Sequence, residues 1–285
     1  MKLTNEPERI TELSKIINDE SNFSSKKSQQ IIKSEVDYFL NSNQFLKEFI
    51  INLSEKISYD YMSYPVMIRN IIKVRNFTLV RYQDGEWTCM LKIEPHFSNK
   101  IPKYGSEIGP LGDVLLNIIK ETPDYFISVN AGTFYERAGL VWPYIKNLKN
   151  LFVGEIFRNV SVNKGLDDFI EVLRDRKVIL VGPDWLKKLK GFDREHVITP
   201  FGTLFKKNVM DKLELDVETL IEKYKKDNPV ILYSCSFPGK IMSDKFYKKY
   251  SNTITQIDMG ATWDPYCGKQ TRPYHEKVIN RIEKK

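Results

Sequence analysis

The chain has little cysteine. Cys89, Cys235 and Cys267 stand far apart and are odd in number, so neither a disulfide framework nor a CxxC zinc site follows. No stretch approaches the roughly 18 consecutive apolar residues that cross a bilayer. The opening MKLTNEPERI has no apolar h-region, which argues against a secretory signal. The expected compartment is the cytoplasm, with the inner face of the membrane as its variant. The Walker A pattern G-x-x-x-x-G-K-[ST] does not occur, which excludes a P-loop. There is no internal repeat, no low-complexity linker and no dense Arg/Lys arm of the kind that grips nucleic acid. Hydrophobic residues at 41% and charged residues at 28% exclude disordered and collagen-like classes.

What is present suits a globular enzyme or binding protein. A chain of 285 residues buries a sizeable core without disulfide or metal staples. Lys and Arg outnumber Asp and Glu by 44 to 37, a net charge of +7. The surplus is spread thinly, with short clusters at Lys187-Lys188 and Lys225-Lys226. It reads as a solvated surface, or as attraction to an anionic ligand such as a sugar nucleotide or to a membrane surface.

Residues 1–75 lack strand signals and read as an N-terminal helical segment, with helices from Glu8 to Asn18 and from Ser25 to Lys56. Val36, Phe39, Leu40, Phe45, Leu46, Phe49 and Ile50 recur at helical spacing, as expected of helices packed on a larger body. From residue 76 to 285 the character changes. Apolar runs appear at 77–82, 125–130, 151–156, 177–183, 196–200, 229–236 and 253–260. Their unbroken β-branched stretches suit strands buried on both faces. Helical patterns lie between them, at Gly112–Glu121, Lys164–Arg174, Thr203–Lys226 and Gly239–Tyr250. This alternation predicts an α/β domain with a Rossmann-like, mostly parallel sheet flanked by helices. Ligands of such sheets bind beyond the carboxyl ends of the strands.

The first run, FTLVRYQDGEW, ends in a turn signal, Asp84-Gly85. Asp84 and Glu86 put two carboxylates beside a strand end. Mg²⁺ or Mn²⁺ often takes only one or two carboxylates, with phosphates and waters completing its shell. Arg81 brings a fork of donors that suits phosphate. On spacing alone, a D-x-E triplet arises often by chance.

The segment R-Y-Q-D-G-E-W, residues 81–87, resembles the R-[FY]-x-D-G-E signature of GT-D-type glycosyltransferases, a bacterial family first described as a domain of unknown function. The resemblance implies a Rossmann-like fold and a D-x-E motif serving a metal and a nucleotide-sugar diphosphate. Asp84 and Glu86 would be its carboxylates and Arg81 its leading arginine. Gln83 stands where members often have Gly, and Trp87 where many have Phe. The resemblance extends from about Asn76 to His275, but only the signature is specific.

Other strand ends supply further candidates. SVNAGTFYER offers Asn130 and Glu136, with Arg137, toward acceptor or diphosphate. GEIFRN offers Arg158 and Asn159. VGPDW has Gly182 at a tight turn, followed by Asp184 and Trp185. SCSFPGK places Ser234, Ser236 and Gly239 before a helix whose N–H groups favour phosphate, and Lys240 adds a mobile positive charge. The irregular stretch 258–275 contributes Asp258, Asp264, Arg272 and His275, with Arg272 facing a departing diphosphate. His96 and His196 read as structural.

The expected reaction is metal-dependent transfer of a hexose from a nucleotide-sugar donor, UDP-linked by the resemblance. The acceptor is a glycan, a lipid-linked sugar or a protein. The catalytic set is Arg81, Asp84 and Glu86. The base that takes the acceptor proton is one of Glu136, Asp264 and His275. A phosphoryl or nucleotidyl transferase on the same sheet and a non-catalytic binding module stand as alternatives. Peripheral membrane association and a homodimer are left open as well.

Overall fold

All seven apolar runs become strands. They are β1 (Thr78–Tyr82), β2 (Phe126–Val129), β3 (Leu151–Val153), β4 (Val178–Gly182), β5 (Glu195–Ile198), β6 (Val230–Tyr233) and β7 (Thr255–Asp258). In the computed structural model, which describes residues 64–91, 108–129, 138–153, 156–200 and 206–284, they form one sheet. Its order is β3-β2-β1-β7-β6-β4-β5. Every pairing is parallel. Each residue of VILVG in β4 and VILY in β6 is buried, because helices cover both faces of these central strands.

The helices are α1 (Tyr64–Ile72), α2 (Asp84–Met90), α3 (Ile108–Lys120), α4 (Ala138–Ile145), α5 (Ile156–Asn163), α6 (Asp167–Leu173), α7 (Lys207–Tyr224), α8 (Phe237–Tyr250) and α9 (His275–Glu283). Strand residues alternate between the faces. Leu79, Leu180, Leu232 and Ile257 meet Met67 and Ile71 of α1, Phe157 of α5, Phe169 of α6 and Trp263 on one face. Phe169 and Trp263 stack there with ring centroids 5.7 Å apart. On the other face Val80, Tyr82 and Ile127 pack with Trp87 of α2 and Leu115 of α3. Beside them Val181, Ile231 and Tyr233 pack with Val217 of α7 and Phe246 of α8. Thus α1, which falls within residues 1–75, shares the core of the sheet. The expected helices Glu8–Asn18 and Ser25–Lys56 lie outside the described residues.

Strand order decides where a site can form. The chain lays β2 and β3 outward from β1, crosses to the far half for β4 and β5, then returns through β6 to β7. As the last strand, β7 slots between β6 and β1, with Leu79 opposite Ile257 and Tyr233 opposite Asp258. Segments about 170 residues apart in sequence thus share one carboxyl edge, at the reversal of strand order where open α/β sheets hold ligands.

Three local expectations need correction. Asp84-Gly85 does not close a turn; it opens α2. The Gln83 N–H donates to Glu86 Oε2 at 3.0 Å, and the Trp87 N–H donates to the Gln83 carbonyl at 3.1 Å. Two acidic residues in the first turn favour the helix N-terminus electrostatically. The segment holding Arg158 and Asn159 is helical, being α5. The stretch 258–275 contains a 3₁₀ turn at Asp264–Cys267 and ends on the first residue of α9. Among the described residues no helix is long and apolar enough to cross a membrane.

Candidate active site

Side chains from α2, α8 and β7 converge with a backbone N–H of β1 at the carboxyl edge. The Lys240 ammonium, in the first turns of α8, lies 2.9 Å from Glu86 Oε1 and 3.0 Å from Asp258 Oδ2. None of the three side chains is more than 9% exposed. The remaining oxygens are also engaged. Glu86 Oε2 accepts from the Gln83 N–H. Asp258 Oδ2 accepts from the Arg81 N–H at 3.2 Å, and Oδ1 from the Gly260 N–H at 3.0 Å. Two carboxylates face one ammonium, so one negative charge is left over, and these three backbone donors stabilise it. Burial alone would lower the Lys240 pKa, but the Asp258 and Glu86 carboxylates outweigh it and hold the pKa above the ordinary lysine value. Burial, and then the Glu86 carboxylate, push the nearby Cys89 thiol up to about 11.

Arg81 points to the opposite face. Its Nη1 donates to the Met259 carbonyl at 2.9 Å, its guanidinium carbon lies 6.0 Å from the centre of the Phe157 ring, and its buried Nε has no hydrogen-bond partner. Asp84 is exposed on the first turn of α2. Residues two apart on a helix do not face each other, so Asp84 and Glu86 diverge.

The turn between β6 and α8 passes beside this cluster. Ser236 is exposed and held at φ 57°, ψ −138°, a left-handed backbone that disfavours any residue but glycine. Ser234 Oγ is buried and without a hydrogen-bond partner. Gly182 and Gly239 serve close packing. A Cβ on Gly182 would lie 2.6 Å from Leu186 Cδ1, and one on Gly239 would lie 3.0 Å from Cys235 Sγ. Polar groups seat α8 on the sheet. Gln256 Nε2 donates to Thr78 Oγ1 and to the Ser243 carbonyl, each at 3.0 Å, and the Tyr233 hydroxyl donates to Gln256 Oε1 at 2.9 Å.

A second cluster lies across the sheet. Trp185 Nε1 donates to Asp264 Oδ1 at 2.9 Å, and the Thr271 hydroxyl donates to Asp264 Oδ2. The Thr271 N–H donates to His275 Nδ1 at 3.2 Å, which leaves the proton on Nε2, a buried atom with no partner. Burial lowers the His275 pKa, against the opposing pull of Asp264. Arg272 is exposed and donates to the Thr271 carbonyl at 3.2 Å. Asp184 is exposed and paired with Lys187 at 2.7 Å.

The structure therefore joins the side chains of Glu86, Lys240 and Asp258 with the Arg81 backbone N–H, and Ser234, Ser236 and Gly239 lie in the adjoining turn, whereas the Arg81 guanidinium lies on the opposite face. It does not bring Asp264 and His275 into that group. Asn130 and Glu136 lie outside the described residues. Lys240 is not the mobile charge its sequence position implies, because two carboxylates hold it inside. Asp84 and Glu86 do not fit a two-carboxylate chelate, since Asp84 faces solvent while Glu86 is buried and turned inward onto Lys240 and the Gln83 N–H. Among the described residues no three His, Cys, Asp or Glu side chains group as metal ligands. Asp84 fits a metal that arrives with most of its oxygen ligands already in place. Thr271 and Gln83 were missed from the sequence. For Gln83 the signal was there, since an acidic residue three positions after a polar one marks a helix start. Thr271 had no local signal.

No protein-family model matches the chain, and no curated protein or solved structure shows significant similarity to it.

Proposed function

We propose that this chain is a glycosyltransferase that passes a hexose from a nucleotide-sugar donor, of the UDP-linked class, to a hydroxyl of a glycan, lipid-linked or protein acceptor. One observation carries the reading. The R-Y-Q-D-G-E-W segment, which resembles the GT-D-type signature, is joined through Lys240 to a strained small-residue turn at the helix N-terminus, on the carboxyl edge of the central parallel strands.

In this reading the donor diphosphate lies across the turn 234–239. The positive end of the α8 dipole favours the charge that builds on the leaving group; Pro238 brings no N–H to that end, and the Gly239 N–H is spent on the Ser236 carbonyl at 3.1 Å. Arg81, whose guanidinium is held on the Met259 carbonyl across the sheet from Lys240, and the exposed Arg272 are the cationic side chains that would have to reach over the carboxyl edge to that diphosphate. A divalent ion carried in by the diphosphate would meet the protein through Asp84 and would supply charge neutralisation at the leaving group. Glu86 and Asp258 act beneath, fixing α2 and the end of β7. Of the candidate bases, His275 spends its Nδ1 lone pair on Thr271, and Asp264 is buried with each oxygen accepting from Trp185 or Thr271. Glu136 is left to take the acceptor proton.

The test is nucleotide release from a panel of UDP-sugars, run beside nucleoside triphosphates. The expected result is UDP release that falls about 100-fold in Asp84→Asn, the scale of losing one charge-stabilising group, with a melting temperature lowered only slightly by the loss of an exposed first-turn charge of α2. Turnover of triphosphates alone would support a phosphoryl or nucleotidyl transferase instead. Absence of heat on titrating Mn²⁺ plus UDP would support a non-catalytic module.

A further inference from the structure

Buried carboxylates that lie close together need a cation between them, or one must take up a proton. Glu86 and Asp258 come from segments more than 170 residues apart, and each places an oxygen about 3 Å from one ammonium, that of Lys240. A divalent ion is the usual bridge for such a pair. Here the bridge is covalently part of α8. All four carboxylate oxygens then have partners: Lys240 and the Gln83, Arg81 and Gly260 N–H groups. The Lys240 side chain is 4% exposed, so it cannot swing out to a ligand without leaving two bare carboxylates behind.

We infer that Lys240 is a tethered cation standing where a carboxylate-bridging divalent ion would otherwise sit. The floor of the site is thus assembled without metal, and Glu86 is a positioning residue rather than a metal ligand. Lys240 thereby couples three elements. It sets α2, and with it Asp84, against the end of β7 and against the turn that opens α8. The inference concerns this floor and stands apart from the identity of the donor. Failure to release nucleotide from any sugar donor would sink the glycosyltransferase reading and leave this one intact.

The experiment uses the full chain and Mn²⁺ alone as probe, in an Asp84→Asn background that removes the exposed carboxylate. The parent protein should melt at the same temperature in EDTA and in Mn²⁺. Lys240→Met keeps the bulk of the lysine stem and removes its charge. It should melt lower in EDTA and gain a Mn²⁺ site, with the folded-to-unfolded ratio rising about 100-fold at ion concentrations about 100 times the Kd. Adding Asp258→Asn should abolish that gain, which a loss of packing alone would not predict. If Lys240→Met is unfolded in EDTA, recovery of the fold in Mn²⁺ is the same supporting result. Two outcomes overturn the inference. One is a Lys240→Met protein that shows neither binding nor recovery in millimolar Mn²⁺, Mg²⁺ or Ca²⁺. The other is a parent protein whose melting temperature rises in Mn²⁺ through a response that Glu86→Gln removes.

Discussion

Gly112 of α3 and Gly85 of α2 permit the same substitution with opposite expected sign. A Cβ on Gly112 would lie 2.7 Å from the Cys89 carbonyl oxygen and 2.8 Å from its carbon, whereas one on Gly85 meets nothing within 4 Å. Ordinary contact begins near 3.4 Å, so Gly112→Ala must open the gap by about 0.7 Å against backbone atoms, an overpacking cost of about 1–3 kcal/mol. Both variants gain about 0.4–1 kcal/mol from the restricted unfolded chain. Gly85→Ala should therefore stabilise by about 0.4–1 kcal/mol, while Gly112→Ala should destabilise by up to about 2.6 kcal/mol once the two effects are combined. The difference between them isolates the steric cost, worth roughly 2–12 °C in Tm for a chain of this size. Paired thermal and urea melts read it. The displaced element is α2, which carries Asp84 and Glu86. Equal stabilisation by both alanines would refute the close approach of α3 to α2.

Acid should unfold this protein partly through histidine. Burial holds both His275 and His196 below the ordinary imidazole value. Below about pH 6.5, the unfolded imidazole value, the unfolded chain binds protons that the folded one resists. The stability is present above that pH and is lost as pH falls from there through the folded pKa. His275→Gln should flatten that part of a pH series of urea melts, and an unaltered slope would show that the imidazole does not contribute. Ser236→Gly should relieve the left-handed strain and stabilise by about 1 kcal/mol, read in the same melts. If it destabilises, the serine side chain outweighs the backbone cost.

Much of the fold was legible because burial on two faces leaves a plain mark. Runs such as VILVG and VILY read directly as central strands of a parallel sheet, and all seven strands fall where the apolar runs are. Short helices were harder. Asp84-Gly85 looks like a turn in isolation, and only the reciprocal placement of Gln83 and Glu86 makes it a helix start. At the site, residue types at strand ends marked Arg81, Glu86, Lys240 and Asp258 one by one, but their partnership had no sequence signal.

Strand content, the α/β class and the chemistry available at each strand end were properties of the sequence alone, because they depend on local pattern and side-chain type. Which carboxylate faces solvent and which faces Lys240 was decided only when β7 slotted between β6 and β1 and set Asp258 beside Glu86. A charge in the interior must be met by whatever the topology brings within about 3 Å of it, and residues more than 150 positions apart carry no local record of that meeting.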